Sequence, residues 1–316
     1  VSNYLEVTAP VETEMGGIRF DDDGGVTIIT GTLDYGQGHA APFAQVMVSH
    51  LGIPFDRIRL LQGDSDELIT GGGTGGSKSI MASGGAIVEA SGEVIKKAKQ
   101  VASHVLEAAV ADIEFDNGDL IVAGTDRRVS LLDLAAQIRN GLKLPDGMPD
   151  SLDVRLDHGG VPSAFPNGCH VCEVEVDPET GRIKVDRYAM VNDFGVLVNP
   201  LMVEGQSHGG VVQGLGQALM EHVAYDEDGQ MLSGSFMDYA MPRAADVPSF
   251  GFDSHPVPAT TNALGAKGCG EAGCAGAMPA VMNAIVDALS ELGVSHVDMP
   301  ATPERVWRVI REATTG

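Results

Sequence analysis

Lys267-Gly268-Cys269-Gly270-Glu271-Ala272-Gly273-Cys274-Ala275-Gly276 holds one acidic residue in a run where almost nothing else carries a side chain. Glycine lets a backbone approach a ligand closely and take up positive φ. An apolar run with helical spacing follows at once, from Ala277 through Val281, Ile285 and Leu289 to Leu292. The pattern places Glu271 in a glycine-lined loop just before a helix N-terminus, where backbone N–H groups and the helix dipole favour an anion. Two readings stand side by side. Glu271 is a surface residue in a tight turn, or it is a carboxylate held in a dry pocket as a base.

Upstream, residues 202–221 have helical apolar spacing but carry five glycines. Each costs a helix about 1 kcal/mol relative to alanine, so the pattern predicts a ligand or another backbone against that face. Gln206, Gln213 and Gln217 lie on the same segment. Residues 169–176 and 183–191 flank Asp177-Pro178-Glu179-Thr180-Gly181 and predict a β-hairpin. Asp193-Phe194-Gly195 follows without the other motifs of a kinase. Residues 223–232 predict a second hairpin over Asp228-Gly229. Thr302-Pro303-Glu304 opens a last helix, with Thr302 as N-cap and Pro303 at the first helical position. Trp307, the only tryptophan, reads as a core or interface anchor.

In the first half, residues 26–33 predict a strand that runs into Asp34-Tyr35-Gly36-Gln37-Gly38-His39. A helix is expected over 40–51, closed by Gly52. This strand–glycine turn–helix unit presents N–H groups to an anion, but it lacks the spaced glycines of a dinucleotide fingerprint. After a strand at 58–62 comes Thr70-Gly71-Gly72-Gly73-Thr74-Gly75-Gly76-Ser77-Lys78-Ser79. It is not a P-loop, since Lys78 follows serine, yet bare N–H groups, hydroxyls and a cation suit a phosphate cradle. The plainer reading is a flexible linker. A long helix is predicted from 80 to 109, a hairpin over Asn117-Gly118, and a short helix at 131–138. Residues 144–166 are rich in Pro, Gly and Asp and predict a linker that divides the chain into 1–150 and 151–316.

Net charge is −24, which argues against nucleic acid and anionic membrane surfaces as partners. No apolar run reaches the length of a membrane span, and no signal sequence opens the chain. Beginning at Val1 without a domain-start signature, the chain is expected to be a fragment, a processed chain or one subunit of a split protein. Cys169, Cys172, Cys269 and Cys274 match neither a zinc framework nor a haem-attachment motif. They read as plain reduced cysteines of a cytoplasmic protein.

Taken together, these stretches resemble the molybdopterin-binding (large) subunit of the xanthine oxidase, aldehyde oxidase and carbon monoxide dehydrogenase family. The resemblance rests on residues 34–39 and 74–79, and on Val203-Glu204-Gly205-Gln206-Ser207-His208-Gly209-Gly210. It continues through Gln213-Gly214-Leu215-Gly216-Gln217, Gly234-Ser235-Phe236-Met237-Asp238-Tyr239 and residues 264–273, in the family's order. It implies an α+β fold of repeated mixed α/β subdomains around a buried pyranopterin, the first at 1–150 and the second, with the Glu271 loop, at 151–316. In bacterial members the cofactor is commonly a molybdopterin cytosine dinucleotide. The chain looks like only the C-terminal part of such a subunit, without the N-terminal part that carries more of the substrate pocket.

The same resemblance carries over Glu271 as the catalytic base beside molybdenum. It implies that Gln37 and Gln206 contact the pterin and that Gly75, Gly76, Ser77, Lys78 and Ser79 lie against the cofactor, Gly76 nearest the metal. Gly36, Gly38, His39, Thr74, Gln213, Lys267 and Gly270 join the cofactor-binding set through the matching motifs. No side chain of this chain is needed as a metal ligand. The implied reaction is oxidation of a small substrate (an aldehyde, an N-heterocycle or carbon monoxide) with water-derived oxygen. The implied partners are an N-terminal counterpart, an iron–sulfur subunit and an FAD subunit, because this chain lacks a cluster-type cysteine set. Cys269 and Cys274 depart from the valine or threonine expected around the glutamate. The alternative is a non-catalytic molybdopterin-binding module that needs a partner chain. Glu271 favours the enzyme, since storage needs no base, and the missing N-terminal part favours the module.

Overall fold

The structure, a computed structural model, describes residues 1–315. Its elements in chain order are β1 (Ser2–Leu5), β2 (Glu14–Phe20), β3 (Val26–Thr30), α1 (Ala40–Leu51), β4 (Ile58–Gln62), α2 (Ser79–Val105), β5 (Ile113–Asp116), β6 (Asp119–Val122), β7 (Arg128–Ser130), α3 (Leu131–Arg139), β8 (Val154–His158), β9 (Asn167–Val176), β10 (Ile183–Asp193), α4 (Pro200–Leu219), β11 (Phe250–Ser254), α5 (Ala272–Ala288) and α6 (Pro303–Thr315). Helices pack on mixed sheets, the α+β class that the sequence motifs imply.

The first sheet has the order β4-β3-β2-β8. All of β3 is buried, which is why its sequence is a continuous β-branched run instead of an alternating one. α1 and α2 close this layer: Phe43, Met47, Ile87 and Val94 meet Ile18 and Ile28 in one core. α1 stops at Gly52, whose N–H returns to the Val48 carbonyl. The Asn117-Gly118 turn joins β5 to β6 as expected, and β7 completes a small three-stranded sheet.

The stretch expected as a linker, 144–166, is not one. Val154–His158 pairs antiparallel with β2 and forms an edge of the first sheet. It is short, it lies between Pro- and Gly-rich flanks, and its outward residues Arg155 and Asp157 are charged and exposed. Its partner lies some 140 positions away, beyond the reach of local periodicity. At the other end of the chain, β1 joins the second sheet, order β1-β9-β10-β11. The two sheets thus exchange strands across position 150.

The predicted hairpin of β9 and β10 is the spine of the second sheet, with β11 added in parallel. α4 and α5 cover it, and Val211, Leu215, Val281 and Ile285 pack on Tyr188 and Met190. α4 starts on the Asn199 side chain, which accepts the Met202 N–H, with Pro200 at its first position. Two of the five glycines of α4 are explained by α5: a Cβ on Gly210 would lie 2.9 Å from Gly273 Cα, and one on Gly214 would lie 2.7 Å from Ala277 Cβ. The second expected hairpin, at 223–232, is reduced to one bridge between Tyr225 and Met231. A lone two-stranded ribbon with no sheet beside it does not hold a ladder. α6 begins at Pro303 as predicted, and the Thr302 hydroxyl accepts the Arg305 N–H. Trp307 stays 36% exposed, with the Arg311 guanidinium 5.3 Å from its ring centre.

Candidate functional site

Four helices begin at one cavity. The residues that precede α1, α2, α4 and α5 are His39, Lys78, Asn199 and Glu271. His39, Asn199 and Glu271 line a cavity of ≈ 290 Å³, as do Ser77 and Ser79 on either side of Lys78. Each start contributes free N–H groups and the positive end of a dipole. The chain carries −24 overall, yet several helix N-terminal ends meet at this cavity.

The wall is built from both sheets' loops. The turn after β3 supplies Gln37 and His39, and the glycine loop supplies Thr74, Gly75, Gly76, Ser77 and Ser79. Gln206 comes from α4, and Lys267, Gly270 and Glu271 come from the loop before α5. Eleven of the residues singled out in the sequence therefore meet at one place. Gly36, Gly38, Lys78 and Gln213 are off the wall. Gly36 is exposed at the turn, and Gln213 is exposed on α4.

Asp34 shapes the first of these loops. Its carboxylate accepts the N–H groups of Gly36, Gly38 and His39. Burial pushes the Asp34 carboxyl up, but these N–H groups outweigh it and hold it below the usual carboxylate range. His39 is buried, its Nδ1 meets Gln62 Nε2 at 3.4 Å, and burial lowers its pKa. It therefore faces the cavity as a neutral imidazole near neutral pH. The Gln37 side chain accepts the Tyr35 N–H, which ties its oxygen to the turn and leaves its NH₂ to donate.

The glycine loop is docked on the body of the chain and is not a flexible linker. Its base is docked: Gly73 N–H bonds to Gly31 O, and Ala9 N–H bonds to Gly76 O at 2.8 Å. Gly76 takes φ +62°, and a Cβ there would lie 2.6 Å from Ala9 Cβ. Gly75 is the opposite case, since a Cβ there would meet nothing within 4 Å. Among the described residues, the N–H groups of Gly75, Gly76 and Ser77 donate no hydrogen bond within the chain. Consecutive free donors beside open space fit an anionic ligand that approaches the backbone closely.

Glu271 is the residue before α5, at φ −111°. Its N–H donates to Ser77 Oγ at 3.0 Å, and the Ser77 hydroxyl donates to Glu271 Oε2 at 3.3 Å. The two loops touch so closely that a Cβ on Gly268 would lie 1.4 Å from Ser77 O. The carboxylate is exposed on the cavity wall, so within this chain it stands in neither a dry pocket nor an ordinary surface turn. Lys267 holds the loop from behind. Its Nζ lies 2.5 Å from Asp193 Oδ2, with both side chains about 10% exposed, and its N–H bonds to Phe194 O. Burial pushes Asp193 up, but Lys267 and the N–H groups of Val257 and Gly195 outweigh it, and the carboxyl is held low. The Lys267 charge is thus paired within the chain. Burial pushes the Cys269 thiol up to about 12, so it is no thiolate at neutral pH.

Sequence reasoning missed Asp193, Asn199 and the apolar wall of Phe194, Leu197 and Val203. It also missed Glu6, a buried carboxyl under the Ser77–Glu271 contact. One signal was readable: Tyr4, Glu6 and Thr8 alternate with Leu5 and Val7, a strand with polar and apolar faces.

A family model described as a molybdopterin cofactor-binding domain matches residues 2–248. The chain is 39% identical over 296 residues to the nicotine 6-hydroxylase large subunit of Paenarthrobacter nicotinovorans, covering 93% of this chain and 36% of that protein. The solved structure of CO dehydrogenase from Oligotropha carboxidovorans superposes with a TM-score of 0.91 at 30% identity, over 99% of this chain and 40% of that one. Quinoline 2-oxidoreductase from Pseudomonas putida 86 superposes with a TM-score of 0.85 at 30% identity, over 98% and 42%. The chain thus spans well under half the length of the relatives it matches.

Proposed function

The chain belongs to the molybdopterin cofactor-binding domain family, and from that premise we propose that it forms part of the cofactor shell, and supplies the base, of a molybdenum hydroxylase. The observation that carries this reading is the convergence of four helix starts, free cradle N–H groups and one carboxylate on a single cavity. Such a set fits a phosphate-bearing pterin, and we assign the cytosine dinucleotide form to it. The N–H groups of Gly75 to Ser77 and the side chains of Gln37 and Gln206 would hold the cofactor. When bound, a molybdenum pterin supplies two-electron redox chemistry that side chains lack.

The chain's own residues do the rest. Glu271 Oε1 and Oε2 accept a proton at the cavity wall, and Ser77 fixes their direction. The Asp193–Lys267 pair fixes the loop that carries Glu271. The apolar wall limits water. The substrate is a small molecule of the kinds named for the relatives: an N-heterocycle such as nicotine or quinoline, carbon monoxide or an aldehyde. In this reading, the two sheets with their helices are two cofactor-binding subdomains that meet near position 150 and exchange β1 and β8, and the rest of the shell comes from a companion molybdopterin segment. Iron–sulfur and FAD subunits in the cytoplasm carry the electrons away. No helix among the described residues is long and apolar enough to cross a membrane.

The second reading, a binding module without catalysis, rests on the fraction of the relatives that the chain spans. One substitution separates the two. Glu271→Gln keeps shape and hydrogen bonding but cannot take a proton. In the assembled enzyme, turnover should fall by roughly two to four powers of ten, the span of general acid–base catalysis. Molybdenum measured on the same preparation should stay at the wild-type level. Full turnover at full molybdenum would leave only the binding module.

A further inference from the structure

The first strand enters the fold with its polarity inverted. Tyr4, Glu6 and Thr8 are turned inward and buried, while Leu5 and Val7 are 71% and 59% exposed. Alternation explains which side each residue takes, but not why a carboxyl is on the inside. Glu6 is 9% exposed, and neither Oε1 nor Oε2 has a hydrogen-bond partner among the described residues. Burying an ionised carboxylate without a partner is costly, so such a group tends to keep its proton instead.

What faces Glu6 supports the same conclusion. Ser77 and Glu271 lie on the neighbouring loops, Tyr4 is on β1 just before it, and Cys269 is on the loop before α5. None of these is a cation. Tyr4 and Cys269 are both pushed up by burial and are neutral near neutral pH. Burial raises the Glu6 pKa and the Glu271 charge raises it further, against a lowering by Ser77. The segment is clamped in place, because Ala9, three residues on, donates its N–H to Gly76 O. Ser77 next to that anchor holds Glu271 through two hydrogen bonds. Cys274 is another titratable group near Glu271, and burial raises it as well.

We propose that Glu6 and Glu271 form a carboxyl pair across Ser77 that keeps one proton on buried Glu6 and leaves Glu271, at the cavity wall, as the anionic member. Glu6 is then a positioning residue. Its neutral form spares Glu271 a second negative charge beside it and leaves the Ser77 hydroxyl to Glu271. The inference rests on the reading of Glu271 as the base, but its test does not use turnover.

The test is a pH titration of the full chain by infrared difference spectroscopy with ¹³C-labelled glutamate. It is run in a Glu14→Gln background, because Glu14 is also raised by burial, to about 7. At neutral pH a protonated-carboxyl band is expected in this parent, absent from Glu6→Gln and present in Glu271→Gln. In Glu271→Gln, the Glu6 band should lose its proton at lower pH than in the parent, by about one unit or more if the pair is strongly coupled. Glu6→Gln, neutral like the protonated Glu6 it replaces, should leave the Glu271 titration where it is in the parent. If Glu6→Gln does not fold, Glu271→Gln, at an exposed position, carries the test alone. A Glu6 titration that is unmoved by removal of the Glu271 charge, or a neutral-pH band that survives Glu6→Gln, would overturn the pair. Neither result bears on whether Glu271→Gln slows turnover, so the two readings fail separately.

Discussion

Five glycines lie in residues 70–79 and five in α4, but side chains added to them would meet different things. At Gly75 a Cβ would meet nothing and would point into open space beside the cavity. At Gly210 and Gly214 it would run into α5. In the proposed reading the loop is glycine-rich for a ligand's approach, whereas Gly210 and Gly214 of the helix admit another helix. The distinction is not clean at every position: Gly71 and Gly76 dock the loop's base on Gly31 and Ala9, and Gly205 and Gly209 meet nothing. What decides the role of each glycine is the surface opposite it, which local composition does not report.

The sharpest way to break this comparison is a matched pair of valines. Gly214→Val forces a branched side chain against Ala277 Cβ and Cys274 O. Overpacking of this kind costs about 1–3 kcal/mol or more, so thermal unfolding should drop by several degrees. Gly75→Val should leave the melting temperature within about a degree, since surface changes away from packing are usually worth under ~0.5 kcal/mol. In the assembled enzyme, however, Gly75→Val should abolish retention of molybdenum and pterin. A destabilised Gly75→Val with normal cofactor content would reverse the assignment of the two regions.

The sequence made much of this legible because its strongest signals are local. Gly52 as a helix stop, Asn117-Gly118 as a hairpin turn and Pro303 as a helix start each depend on a few neighbouring residues. The wall residues Gln37, Ser77 and Glu271 were found for a related reason: they sit in glycine-rich turns next to helices. What stayed hidden is long-range. β8 looks like a loop until β2 pairs with it. Asp193 takes its role from Lys267, 74 residues later. Glu6 has none until Ser77 and Glu271 are packed beside it.

Glu14 extends the comparison to the support beneath the cradle. It is 2% exposed and accepts the N–H groups of Gly31 and Met15. Gly31 is the residue on which Gly71 and Gly73 rest. Burial raises Glu14 from 4.5 to about 7, against the lowering by those N–H groups. Because the folded state holds this proton more tightly than the unfolded chain, the contribution is present in full below pH 4.5 and is lost as pH rises to about 7. Over that window it amounts to something on the order of 3 kcal/mol. Urea midpoints taken between pH 5 and 7.5 should fall with pH in the wild-type chain and fall less in Glu14→Gln. Parallel slopes in the two proteins would mean that Glu14 titrates like an exposed carboxylate.

Ser77 joins the two regions directly. It holds φ +54°, a conformation that favours glycine, and a non-glycine residue there costs about 1–2 kcal/mol. Its hydroxyl accepts the Glu271 N–H and donates to Oε2, and a typical hydrogen bond contributes about 0.5–1.5 kcal/mol net. Ser77→Ala keeps the strained backbone and loses the hydroxyl, so it should destabilise by about 1 kcal/mol. Ser77→Gly loses the same hydroxyl but relieves the strain. The added flexibility of glycine in the unfolded chain takes back about 0.4–1 kcal/mol of that relief, so Ser77→Gly should unfold close to wild type. In the assembled enzyme, however, both variants should slow turnover to a similar extent, because Glu271 loses the same anchor in each. Denaturant unfolding and turnover on the same three proteins separate the two effects. If turnover follows stability, with Ser77→Gly active and Ser77→Ala impaired, Ser77 matters for the backbone of the cradle and not for the direction of Glu271.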